Sequence, residues 1–119
     1  MGTAPSEAKI RLAEGVLRRK TIHVVLPSFP PEALRRRAQG VAVAELEVNE
    51  EGYVAHSRVL QAPDPAIRAA VEEAIKQWTF RPTTVRKTPV RVVGKLTFYF
   101  VIEGGKGRVL NPEEMRRQE

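Results

Sequence analysis

The sequence contains no cysteine and only two histidines. The absence of cysteine excludes a disulfide framework and any thiolate metal site. His23 and His56 both fall in predicted strands, without the organised carboxylates that a zinc site needs. No glycine-rich phosphate loop leads into an apolar helix, and no serine or threonine is placed beside a histidine in a pattern that indicates a nucleophile. We therefore predict that the protein is not an enzyme and binds neither a cofactor nor a metal.

Long apolar runs are also missing, since none approaches the ~18–20 residues that span a bilayer. The 119 residues suit one domain with a single core. The formal net charge is +6, and residues 78–102 carry five basic residues and no acidic one. Such a balance favours nucleic acid or an anionic membrane as a partner. Runs such as Arg35-Arg36-Arg37 are equally typical of a solvated surface, and both interpretations are open.

The first forty residues predict short elements. Residues 6–20 fit either a helix with Ile10 and Leu17 on one face or a short strand before a turn. The β-branched residues of Thr21–Leu26 predict an extended segment. A short helix is predicted over residues 32–38, because prolines precede it and a glycine follows it.

A hairpin and a second helix follow. Residues 41–48 alternate between apolar and acidic side chains, and residues 53–60 return as a second strand after a turn in which Gly52 takes a positive φ. Asp64 is a good N-cap for the helix that begins at Pro65. We assign the apolar face of this helix and the residues that end it to the structural core: Ile67, Val71, Ile75, Trp78, Phe80 and Pro82.

The longest strand prediction covers residues 90–102, after a basic loop. The predicted fold class is α+β, with two helices packed on a three-stranded antiparallel sheet in the order helix, hairpin, helix, strand. We expect residues 1–26 to form an extension with a strand, residues 27–103 the domain, and residues 104–119 a tail that could cap the third strand.

The edge of the third strand is the main candidate for binding, because this strand is longer than the strands of the hairpin. An unpaired edge recruits another strand through its main-chain groups. The charges of Arg91 and Lys95 could instead protect the edge against aggregation, and this alternative stays open. Nucleic acid is the less favoured partner, because the exposed row of this strand holds a single aromatic residue, Tyr99.

Several segments together resemble the C-terminal domain of the TonB family of energy transducers. They are Pro27-x-Phe29-Pro30-x-x-Ala33, Gly40 with the strand after it, Glu51-Gly52-x-Val54, Trp78-x-Phe80-x-Pro82, and the basic loop with its Val- and Phe-rich strand. The resemblance implies a periplasmic module that grips the TonB box of outer-membrane transporters as an added strand. It also implies that ExbB and ExbD supply proton-gradient energy through an inner-membrane anchor upstream, which drives uptake of cargo such as siderophores.

The resemblance also assigns residues. The family's strand-pairing edge falls on Val92, Val93, Gly94, Lys95, Leu96, Thr97, Phe98, Tyr99, Phe100 and Val101. Its Tyr-Pro motif falls on Phe29-Pro30, where the tyrosine hydroxyl is lost. Two alternatives remain, a basic adaptor for nucleic acid or another polyanion, and a domain that forms homodimers through the same edge.

Overall fold

The structure, a computed structural model, describes residues 9–118. Within this range the elements are β1 (Lys9–Arg11), α1 (Glu14–Arg19), β2 (Thr21–His23), α2 (Pro31–Arg35), β3 (Gly40–Val48), β4 (Val54–Gln61), α3 (Pro65–Ile75), β5 (Thr79–Phe80), β6 (Thr83–Val85), β7 (Thr88–Glu103), β8 (Lys106–Leu110) and α4 (Pro112–Arg117). None of these helices is long and apolar enough to cross a membrane.

The main sheet is built around β7. It has six strands, with β1, β7, β3 and β4 in that order and with β6 and β8 also paired to β7. The pairing of β1 with β7 is parallel and the other pairings are antiparallel. The α+β class is confirmed, whereas the prediction of a three-stranded antiparallel sheet was wrong. The added strands β1, β6 and β8 have only three to five residues, too few for an alternation pattern, and they form by pairing with the long β7.

Aromatic residues and the apolar face of α3 form the core. Ile67, Val71 and Ile75 of α3 are fully buried, and so is Trp78, which the sequence placed in the same helix. The helix ends at Ile75, however, so the prediction that it runs on through Trp78 was wrong. The Trp78 indole N–H donates to the carbonyl of Val25 at 2.8 Å, which fixes the segment before α2 on the core.

The two residues predicted to end the core after α3, Phe80 and Pro82, differ in burial. Phe80 lies in β5 and is buried, but Pro82 is exposed, so its assignment to the core was wrong. The supposed basic loop forms a hairpin between β6 and β7, with Arg86 and Lys87 both at positive φ. Two residues at positive φ are typical of a tight hairpin turn.

Asp64 fixes the start of α3. Its side chain accepts from the Ala66 N–H at 2.8 Å and from Arg36 through two hydrogen bonds of 2.8 Å each. The pKa of Asp64 lies below its usual value, chiefly because of the bond from Arg36, and the N–H of Ala66 adds to the effect against the cost of burial.

Both ends of the described chain pack on the sheet. Residues 9–19 contain a strand and a helix in succession, so each of the two alternatives for residues 6–20 accounts for part of the segment. Gly104 and Gly105, both at positive φ, turn the chain from β7 into β8. Asn111 then begins α4 with a capping box, in which Asn111 and Glu114 exchange side-chain to backbone hydrogen bonds.

Candidate strand-pairing edge

The ten predicted binding residues all lie in β7. Five of them are buried on the core face of the sheet: Val92, Gly94, Leu96, Phe98 and Phe100. The other five lie on the opposite face and are half-buried or exposed: Val93, Lys95, Thr97, Tyr99 and Val101. The core therefore uses half of these side chains, and what β7 has to offer a partner is chiefly its backbone.

Two hydrogen bonds show which backbone groups point to which side of β7. The Thr97 N–H donates to the Glu14 carboxylate of α1 at 2.7 Å. The Ile102 N–H donates in the other direction, to the side chain of Gln39 at 2.8 Å, just before β3 begins. Backbone groups alternate in direction along a strand, so those of the odd-numbered residues point away from β3. We call this side the outer edge of β7.

The first part of the outer edge is covered by β1. Lys9 lies opposite Arg91 and Arg11 opposite Val93 in a parallel register, and the Leu12 N–H donates to the Val93 carbonyl at 2.9 Å. This end of β7 is therefore already extended by a parallel strand from the same chain.

Side chains of α1 cover the middle of the outer edge. Glu14 accepts from both the N–H and the hydroxyl of Thr97, at 2.7 and 2.8 Å. Arg18 donates to the Thr97 carbonyl at 2.8 Å and to Glu14 at 2.9 Å. The carboxylate and the guanidinium thus bond the two main-chain groups that a neighbouring strand would use, and so the ion pair replaces a strand at this position.

The last part of the outer edge is covered by β8. Tyr99 lies opposite Leu110, Val101 opposite Arg108 and Glu103 opposite Lys106. The expectation of an unpaired edge was therefore wrong for this structure, because segments from both ends of the chain occupy it. The assignment of these ten residues to partner binding stays a prediction.

Phe29 and Pro30 lie next to the same edge. The Phe29 ring packs edge-on against Phe100 with 5.5 Å between the ring centroids. The ring also lies against Gly107 of β8, where an added Cβ would be 2.5 Å from two ring carbons. Pro30 is buried and is the N-cap of α2. The structure thus brings the Phe-Pro motif and β7 together, with β8 packed directly on Phe29.

Charged residues form a network on the face of the sheet away from the core. The Glu47 carboxylate of β3 forms ion pairs with the Arg91 guanidinium, at 2.6 Å, and with the Lys9 ammonium group, at 3.0 Å. Burial acts to raise the pKa of Glu47, but the hydrogen bonds from Lys9 and Arg91 together hold it below its usual value. Within residues 9–118 no group of side chains has the composition of a metal site. Glu47 thus joins β3 to both β1 and β7 through its pairs with Lys9 and Arg91.

Sequence reasoning missed Glu14, Arg18 and Gly107. Glu14 and Arg18 stand four residues apart, as paired charges on a helix do, and this spacing was the available signal. No sequence signal indicated that the pair bonds Thr97, which is 83 residues away from Glu14.

Comparison with known protein families finds one that matches most of the chain. The model of the Gram-negative bacterial TonB protein C-terminal family matches residues 25–102. The chain belongs to the TonB C-terminal domain family. Members of this family are non-enzymatic transducer domains that face the periplasm and interact with outer-membrane transporters.

A solved structure supports the fold. The solution NMR structure of the Pseudomonas aeruginosa TonB C-terminal domain matches this TonB-family domain with a TM-score of 0.59 and 24% sequence identity. The match covers 71% of this chain and 86% of that one. No curated protein sequence matches significantly.

Proposed function

We propose that this domain is the partner-binding module of a TonB-like energy transducer in the periplasm, and that it grips the TonB box of an outer-membrane transporter by strand addition at the outer edge of β7. The observation that carries the proposal is that this edge accepts two strands from the chain itself, one of them parallel. An edge with this property is competent for β-augmentation.

The occupied edge requires that one covering segment leaves before a partner strand binds. The N-terminal cover is fixed by Leu17 of α1, which is fully buried beneath Gly94. The C-terminal cover contributes less to the core: Leu17 belongs to the core cluster and Ile10 and Leu12 pack against it, whereas Leu110 of β8 is buried outside this cluster and only Val109 of β8 packs against it. We therefore infer that β8 and α4 are displaced, which frees Tyr99, Val101 and Glu103 for the partner.

Phe29 supplies a side-chain surface at the same place. Departure of β8 uncovers the face of the Phe29 ring that Gly107 contacts. An apolar side chain of the TonB box would then pack there, while main-chain hydrogen bonds form along β7. A segment upstream of this chain would connect the module to ExbB and ExbD, so that force on the paired strand reaches the transporter and drives uptake of cargo such as siderophores.

The test measures binding of a fluorescein-labelled TonB-box peptide by fluorescence anisotropy, with a scrambled peptide as control. Val101→Pro removes an outward N–H and is expected to weaken binding at least tenfold. Ile102→Pro is the matched control, because its N–H points toward β3 and donates only to Gln39. Circular dichroism verifies that both variants are folded. Equal binding by the two variants, or equal binding of the scrambled peptide, would refute the proposal.

A further inference from the structure

A row of apolar side chains is exposed in the segment that joins β2 to α2. Ile22, Val24 and Leu26 are 66%, 44% and 63% exposed, whereas Val25 between them packs against the core. This alternation places three large apolar side chains on one side of the segment. Contiguous exposed apolar groups on a domain of this size indicate an interaction surface.

The row borders a groove on the surface of the described structure. The groove has a volume of about 730 Å³ and lies between α1, the Thr21–Leu26 segment and α4, and Trp78 is among the residues that line it. The strand β2, which contributes to the groove, pairs with β5 along one edge. Within residues 9–118 its opposite edge has no strand partner. An apolar row beside a free strand edge is suited to an extended segment of another chain.

The charge around the groove identifies the chemistry of that segment. Arg19 and Arg116 line it, and neither is paired with a carboxylate in the part of the chain that the structure describes. The two acidic residues of the groove are already engaged, Glu14 with Arg18 and Glu113 with Arg117. The groove thus presents uncompensated positive charge next to apolar side chains, which complements a segment rich in carboxylates. A second copy of this basic protein fits it less well, since each copy carries a net charge of +6.

We propose that this groove is a second docking surface, which takes an extended segment of another protein in which apolar residues alternate with Asp or Glu. The apolar side chains lie against Val24 and Leu26, and the carboxylates reach Arg19 and Arg116. This surface adjoins the outer edge of β7, because Glu14 and Arg18 line the groove and also bond Thr97. The proposal nevertheless does not depend on the function proposed above. Since α4 forms one wall, an occupant bound there stabilises β8 and α4 in their docked position.

The test titrates the ¹⁵N-labelled protein with a peptide of alternating Val and Glu, and separately with a peptide of alternating Val and Lys. We expect the acidic peptide to shift the amide resonances of residues 21–26 and of α4. Leu26→Asn and Arg116→Glu are each expected to weaken this binding at least fivefold. Both residues are exposed, so the variants are expected to fold. Leu60→Asn, on the exposed side of β4, is the matched control and is expected to bind as the wild type does.

Four outcomes would overturn the proposal. They are no shift at millimolar acidic peptide, equal affinity for the Val-Lys peptide, shifts confined to β7 or β4, and equal loss in the Leu60→Asn control. Sedimentation of the protein alone tests whether a second copy of the chain occupies the groove instead. Self-association that Leu26→Asn abolishes would assign the groove to a second copy and would likewise overturn the proposal.

Discussion

Replacing Gly107 by alanine tests whether β8 is a removable cover of the outer edge. An alanine Cβ would lie 2.5 Å from two ring carbons of Phe29, where ordinary contact begins at 3.4 Å, so one partner must move by about 1 Å. The Phe29 ring has little room to move, because its other side packs against Phe100. Overpacking of this kind costs about 1–3 kcal/mol.

The cost is expected to fall on the docking of β8, because β8 is held by few buried side chains. A local loss of about 2 kcal/mol raises the open population roughly 30-fold. Native-state amide hydrogen exchange measures this directly: the outward N–H groups of Tyr99 and Val101 should exchange about 10- to 100-fold faster than in the wild type. The N–H of Phe98, which points toward β3, should be unchanged.

Gly15→Ala is the matched control for this prediction. Its added Cβ lies 3.7 Å from the nearest atom, the Arg19 side chain, so the same chemical change is made without a clash. Exchange at Val101 should stay slow in this variant. Acceleration of every β7 amide by one factor in Gly107→Ala, or no acceleration at all, would contradict the inference that β8 opens independently of the sheet.

Three other predictions concern the fold. Trp78→Ala should lower the free energy of unfolding by about 3–5 kcal/mol in urea titrations, because the side chain is fully buried, and a loss below 1 kcal/mol would contradict its place in the core. Gly52→Ala should destabilise by about 3 kcal/mol or more, because φ is +96° and the new Cβ would overlap the Phe80 carbonyl oxygen; wild-type stability in the same titration would exclude this geometry. Asp64→Asn should lower stability at pH 7 but much less at pH 3, because the lowered pKa of Asp64 stabilises the fold above about pH 4 and this contribution is lost as the pH falls through the folded value. If the difference in free energy of unfolding between wild type and Asp64→Asn does not change with pH, ionisation of this carboxyl does not contribute to stability.

Local signals predicted the central elements well. Alternation in residues 41–48 gave β3, and the need for a positive φ at Gly52 is met by its value of 96°. Asp64 and Pro65 begin α3 as their types predict. These features depend on neighbouring residues, so a single sequence contains the information.

Long-range pairing was not predictable in the same way. The end of α3 was placed three residues too late, because Trp78 continues the helical spacing although its indole is fixed by Val25, 53 residues away. The strands β1 and β8 are short and exist through their register with β7, which local patterns do not contain. The Glu14–Arg18 pair was visible as a helical ion pair, but its role at Thr97 depends on tertiary structure.

The sequence therefore indicated the candidate strand but not the state of its outer edge. The edge argument and the family resemblance both led to β7, and the resemblance alone led to Phe29, whose ring packs against Phe100 of β7. The tail was expected to be able to cap this strand, and β8 pairs with it, but nothing in the sequence indicated that β1 and α1 cover the rest of the edge. The question is therefore what displaces the cover of the edge.

The most direct test of the central claim is an amide NMR titration with a TonB-box peptide at low and high salt, on the wild type and on Gly107→Ala. The account predicts shifts at Thr97–Glu103, β8 and Phe29 that change little with salt, with tighter binding by Gly107→Ala. Shifts confined to basic surface residues that disappear at high salt, or equal affinity of the two proteins with β8 still paired, would contradict it.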